Sequence, residues 1–78
     1  MKYVWLVLTR NVFDDYEIFK SMDDAHDYAN VQLTQLRDEG LETEIPGQVF
    51  SKEKLRKDHY MFLSLGDASV ICERRQVK

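Results

Sequence analysis

The 78-residue chain has one cysteine, one proline and three glycines, and it carries no apolar run long enough to cross a bilayer. A lone Cys72 excludes an internal disulfide. Scarce glycine and proline, with 44% hydrophobic and 32% charged residues, exclude a low-complexity or disordered chain. Missing too are a CxxC pair, an HExxH or HxH set, a calcium loop with its central glycine and a glycine-rich phosphate cradle. The opening Val4-Trp5-Leu6-Val7-Leu8 run is interrupted by Thr9-Arg10-Asn11, too soon for a signal peptide, so the expectation is a cytoplasmic protein without a membrane segment. A chain of this length makes one small domain spanning residues 1–78, in which burial by a partner would add appreciably to stability.

Charge is uneven along the chain. Residues 11–50 hold ten acids against Lys20 and Arg37, whereas residues 51–78 hold seven bases against Glu53, Asp58, Asp67 and Glu73. An acidic middle and a mildly basic end steer partners of opposite sign.

Tyr3 to Thr9 reads as a strand that is apolar on both alternating faces. Asn11 and Asp14-Asp15 supply turn chemistry before a second strand, Tyr16 to Phe19, which forms a hairpin with the first. Ser21 with Asp24 three residues on is close to a capping box, and Asp23, Asp24 and Asp27 complement the positive end of a helix dipole. Met22, Ala25, Ala29, Leu33 and Leu36 then share one helix stripe, which Gly40 ends in the left-handed C′ position. Residues 41–58 form a long connection holding a Pro46-Gly47 turn of type II and a short second helix at 51–57 capped by Ser51, with a short edge strand as the alternative. His59–Leu65 and Ala68–Arg75 flank Gly66-Asp67, a two-residue type II′ hairpin whose register pairs Leu65 with Ala68, Leu63 with Val70 and Met61 with Cys72.

The expected fold class is therefore α+β: a four-stranded antiparallel sheet in ββαββ order with one main helix on one face. The expected core is Val4, Leu6, Leu8, Ile18, Met61, Leu63, Leu65, Val70 and Cys72 beneath the helix. Tyr3, Trp5, Val7, Phe19, Tyr60, Phe62 and Ile71 are then left on the reverse face, a larger apolar patch than monomers usually show to water. Either a partner covers that patch, or the connection folds back and caps it with Ile45, Val49, Phe50 and Leu55.

No catalytic residue, cofactor site or metal site is assigned. Cys72 falls on the core face as an inert thiol, and His26 and His59 read as boundary histidines. The acids are accounted for by turns and by the helix dipole. Two surfaces remain. Asp14, Asp15, Glu17, Asp23, Asp24 and Asp27 offer an acidic face for a protein partner with a basic surface, including a groove that otherwise holds nucleic acid. Tyr3, Trp5, Tyr60, Phe62 and Ile71 offer a sheet face for a partner or for a homodimer. The alternative use of those aromatics, stacking single-stranded nucleic acid with help from Lys2, Arg74 and Arg75, is opposed by the acidic balance and by the lack of an RNP-like motif.

Glu17, Ile18, Phe19, Ser21, Asp24, Ala25, Tyr28 and Ala29 spell a strand-to-helix phrase that resembles one recurring in small uncharacterised proteins of phages and mobile elements. With the opening KYVWLVLTR strand the match covers about a third of the chain, and it carries no catalytic residues. The resemblance implies a non-enzymatic accessory protein that binds and inhibits a host component, such as a nucleic-acid-binding defence complex, in the host cytoplasm.

Overall fold

The computed structural model describes residues 2–77 and shows the expected α+β fold, in the order β1 (Lys2–Arg10), β2 (Asp14–Phe19), α1 (Met22–Asp38), α2 (Lys52–Asp58), β3 (Tyr60–Leu65) and β4 (Ala68–Val77). All strand pairs are antiparallel, and the spatial order β2-β1-β4-β3 puts the two ends of the chain side by side in the centre.

Local chemistry sets the element boundaries. The Ser21 hydroxyl accepts the Asp24 N–H at 3.2 Å, and Asp23 and Asp24 occupy the first turn of α1. At its other end Gly40 has φ 94°, and the N–H groups of Gly40 and Leu41 return to the carbonyls of Arg37 and Leu36 at 2.9 and 3.0 Å, a complete Schellman closure. Ser51 caps α2 through the Lys54 N–H at 3.3 Å. His59, at φ 57°, ends α2 and swings the chain into β3. At the β3–β4 hairpin Gly66 has φ 61° and Asp67 stays at negative φ, as a type II′ turn demands. The β3–β4 register is the expected one, Leu65 to Ala68 through Met61 to Cys72.

The faces of β1 and β2 are the reverse of the expectation. Trp5, Val7 and Thr9 point under α1 with Ala25, Ala29, Leu33, Leu36, Met61, Leu63, Val70 and Cys72, and Trp5 is only 7% exposed. The register carries β2 with them: Phe19 lies opposite Trp5 and packs at the core margin, its ring 5.2 Å from that of Tyr28. Val4, Leu6, Leu8 and Ile18 therefore sit on the other face of the sheet. Because β1 is apolar on both sides, alternation could not choose between them. The bulk of the Trp5 indole and a hydrogen bond from the Thr9 hydroxyl to Gln32 Oε1 on α1, at 3.2 Å, favour the observed choice.

The connection does not cap the reverse face. Phe50 and Leu55 are fully buried, but in the same core as α1, while Ile45 and Val49 stay exposed. Asn30 clamps the Phe50 backbone from both sides, its Oδ1 accepting the Phe50 N–H at 2.8 Å and its Nδ2 donating to the carbonyl at 3.4 Å. His26 Nε2 lies 3.0 Å from that same carbonyl. An edge segment also appears, as a single bridge between Thr43 and Leu65.

Candidate functional site

With α1, α2 and the connection all on one side, the other face of the sheet carries no second layer among the described residues. The strand registers order its side chains in rows across the four strands. One row reads Tyr16, Leu8, Ile71, Phe62, and the next reads Ile18, Leu6, Glu73, Tyr60. Val4 continues the apolar surface along β1 beside Arg75. Neighbouring strands lie about 4.8 Å apart, so each row forms a continuous strip rather than isolated side chains. Tyr16 is 63% exposed, Ile18 57% and Phe62 47%, which is well beyond the scattered exposure of an ordinary surface.

Charge frames this band in neutralised pairs. Arg10 meets Asp14 at 3.6 Å at one end, and Glu73 accepts Arg75 at 2.7 Å at the other. The first pair is solvent-exposed and the second half-buried through Glu73, and each cancels the local field. The surface suits an apolar, uncharged counterpart with polar groups at its rim.

Of the sheet-face residues expected from sequence, Tyr60, Phe62 and Ile71 lie together on this open face. Tyr3 and Trp5 do not: both point to the helix side, where the Arg74 guanidinium stacks 4.1 Å above the Tyr3 ring. Their places are taken by Leu6, Leu8, Tyr16 and Ile18. The pairing of Arg10 with Asp14 across a three-residue loop ties the facing of β2 to that of β1, so these four move together, but no signal in the sequence chose which face of β1 meets the helix. Sequence reasoning also passed over Val12 and Phe13, both more than 80% exposed at the tip of the β1–β2 hairpin.

The six acids do not form one face. Asp14 lies on the open face with Arg10. Asp15 and Glu17 point to the helix side of β2, where, after burial itself, their charges raise the pKa of the Tyr28 hydroxyl. Asp23 pairs with Lys52 on α2 at 3.6 Å, and Asp27 lies 2.9 Å from His26 Nδ1. Partners within the chain thus temper three of the six.

Reactive chemistry finds little support. Cys72 is fully buried, and burial, with a smaller contribution from neighbouring Glu73, pushes its thiol up to about 12, far from the thiolate a nucleophile needs. Among the described residues no three His, Cys, Asp or Glu side chains cluster to hold a metal ion, and no helix is long and apolar enough to cross a membrane. The other strongly perturbed group, Glu42, is held down to about 2 by Arg37 and by the Thr43 N–H, an arrangement that anchors the connection. No family model, curated protein or solved structure matches the chain, so its geometry alone argues the site.

Proposed function

We propose that this is a small non-enzymatic binding protein that docks onto a partner protein through the open sheet face. The observation that carries the reading is the apolar band running across all four strands through Tyr16, Leu8, Ile71 and Phe62, bordered by ion pairs that cancel each other. Each large apolar side chain taken fully out of water contributes roughly 1.5–3 kcal/mol, so a few of these residues are enough to offset the ordering costs of association. The flanking arginines favour a protein over a nucleic acid as the occupant. Arg10 and Arg75 are both engaged by carboxylates, which among the described residues leaves Lys2, at the far end of β1, as the open-face cation outside these ion pairs, too little positive charge to follow a phosphate backbone. The acidic residues at the start of α1 give such a protein a second, electrostatic means of steering towards a basic partner.

Site-specific photocrosslinking tests the proposal. A benzophenone side chain in place of Tyr16 should give a discrete adduct from the native lysate, the same probe in place of exposed Val31 on α1 should not, and Leu8→Asp should abolish the adduct. Equal adducts from both positions, or an adduct indifferent to Leu8→Asp, would place binding elsewhere. A labelled single-stranded oligonucleotide should show no shift at low salt; a shift lost in Phe62→Ala would replace the protein reading with a nucleic-acid one.

A further inference from the structure

The sheet has two margins, and they differ. β2 carries Asp14, Asp15 and Glu17, so two copies of this strand repel each other. β3, Tyr60-Met61-Phe62-Leu63-Ser64-Leu65, has no charge and no proline. The Arg74 N–H donates to the His59 carbonyl at 2.9 Å, in register with the β3–β4 ladder. That bond fixes the phase of the whole pair: residues 59, 61, 63 and 65 exchange hydrogen bonds with β4, and Tyr60, Phe62 and Ser64 turn their N–H and C=O groups outwards. Among the described residues the backbone pairing on that side is the single Thr43 bridge at Leu65, and the Tyr60–Phe62 stretch borders an open groove lined by Gln48, Lys54 and Asp58.

We infer that β3 is the edge through which a second copy of this chain adds, antiparallel, to make one eight-stranded sheet. A two-fold axis at Met61 pairs Tyr60 of each copy with Phe62 of the other, so that the outward groups of both residues are satisfied in four hydrogen bonds. The same register sets a Tyr–Phe cross-strand pair on the open face at either side of the axis. Charge fits the arrangement. An open groove of about 410 Å3 runs beside β3, bordered by Lys54 and Asp58 of α2, and among the described residues neither has an ion-pair partner. The two-fold brings Lys54 of one copy towards Asp58 of the other, twice. Both open faces then lie on one side of the sheet, doubling the docking surface without covering it.

The test is sedimentation of the full-length chain over a wide concentration range, with amide hydrogen exchange read in parallel. The wild type should dimerise, with the Phe62 amide protected only where the dimer is populated. Phe62→Pro removes an N–H that β4 does not use, so the fold survives while the dimer dissociation constant rises by at least about tenfold. Phe62→Ser keeps that N–H and loses only the ring contacts with Tyr60, so it should weaken the dimer less than Phe62→Pro does. Lys54→Asp should weaken the dimer, and Lys54→Asp combined with Asp58→Lys should restore it. A wild type that is monomeric throughout, or a dimer in which Phe62→Pro changes nothing and the Phe62 amide exchanges freely, overturns the inference. The crosslinking at Tyr16 and the Leu8→Asp variant lie away from this edge, so either proposal can fail without the other.

Discussion

A matched pair of substitutions on one strand tests the sidedness on which the proposed binding surface depends. Val4 and Val7 both lie on β1, three residues apart and on opposite faces. Val7 is completely buried between the sheet and α1, opposite Cys72 and Glu17; Val4 stands beside Arg75 on the open face. Replacing valine by threonine keeps shape and strand propensity and exchanges a methyl group for a hydroxyl. At position 7 that hydroxyl enters an apolar core, where the lost hydrogen bonds to water cost about 1–3 kcal/mol. At position 4 the hydroxyl keeps access to water, so the cost should stay within about 0.5 kcal/mol, the usual range for surface substitutions. In a domain of this size 1 kcal/mol displaces the melting temperature by roughly 4–8 °C, so Val7→Thr should lower it by at least about 4 °C and Val4→Thr by less than about 4 °C. Thermal unfolding followed by circular dichroism reads the difference directly. Equal losses, or a larger loss for Val4→Thr, would mean that Val4, Leu6 and Leu8 face the core and that no open band exists.

Other outcomes follow from individual contacts. Asn30→Ala strands the Phe50 N–H beneath the connection and should destabilise by about 1–3 kcal/mol in urea unfolding, with faster amide exchange across residues 48–58 as the accompanying sign. Glu42 is depressed from its ordinary 4.5 to about 2 by Arg37, so its contribution is fully present above pH 4.5 and disappears as pH falls towards 2; Glu42→Gln should flatten the acid limb of the stability curve in that window. Gly66→Ala forces an L side chain to φ 61° with its Cβ 3.4 Å from Leu41 Cδ2, and should cost about 1–2 kcal/mol in the same unfolding assay. The Cys72 thiol should react with an aromatic disulfide at the rate of global unfolding, and fast labelling of the folded chain would contradict its burial.

Where one signal dominated, the fold was legible residue by residue. Ser21, Ser51, Gly40 and Gly66 each act through their own backbone and side chain, so the ends of both helices and the type II′ hairpin could be read without knowing what packs where. The β3–β4 register followed because a two-residue turn leaves no freedom of phase. The facing of β1 was of another kind. Tyr3, Trp5 and Val7 are as apolar as Val4, Leu6 and Leu8, and hydrophobic alternation is silent when both sets qualify. β2 then misled. Its alternation of Tyr16 and Ile18 with Asp15 and Glu17 suggests the apolar pair inside, but β2 is a margin strand with only Phe19 at its end packed against the core. Its acids can therefore point to the helix side and remain in water. The existence of an open apolar face was legible and half of its membership was not, because Tyr60, Phe62 and Ile71 sit on strands with a fixed register whereas the other half waited on a choice made by tertiary packing.

An apolar face in water raises the question of why the long connection does not cover it, and the answer lies in what already holds that segment. Arg37, near the end of α1, reaches Glu42 Oε1 at 2.6 Å, the Thr43 hydroxyl at 3.0 Å and the Gln48 carbonyl, gathering the first half of the connection on the helix side. Asn30 and His26 fix the Phe50 backbone, and its side chain is buried with Leu55 in the core beneath α1. Moving the connection to the far side of the sheet would unmake these charge-assisted hydrogen bonds and empty a Phe-sized volume from the core, at about 3–5 kcal/mol for the ring alone. That loss falls on a small domain whose total stability is of the same order as a few such terms. The connection is therefore committed, and so is α1 with its apolar stripe. Among the described residues no second layer covers Tyr16, Leu8, Ile71 and Phe62, so under the proposed function the band stands ready for a partner without local unfolding.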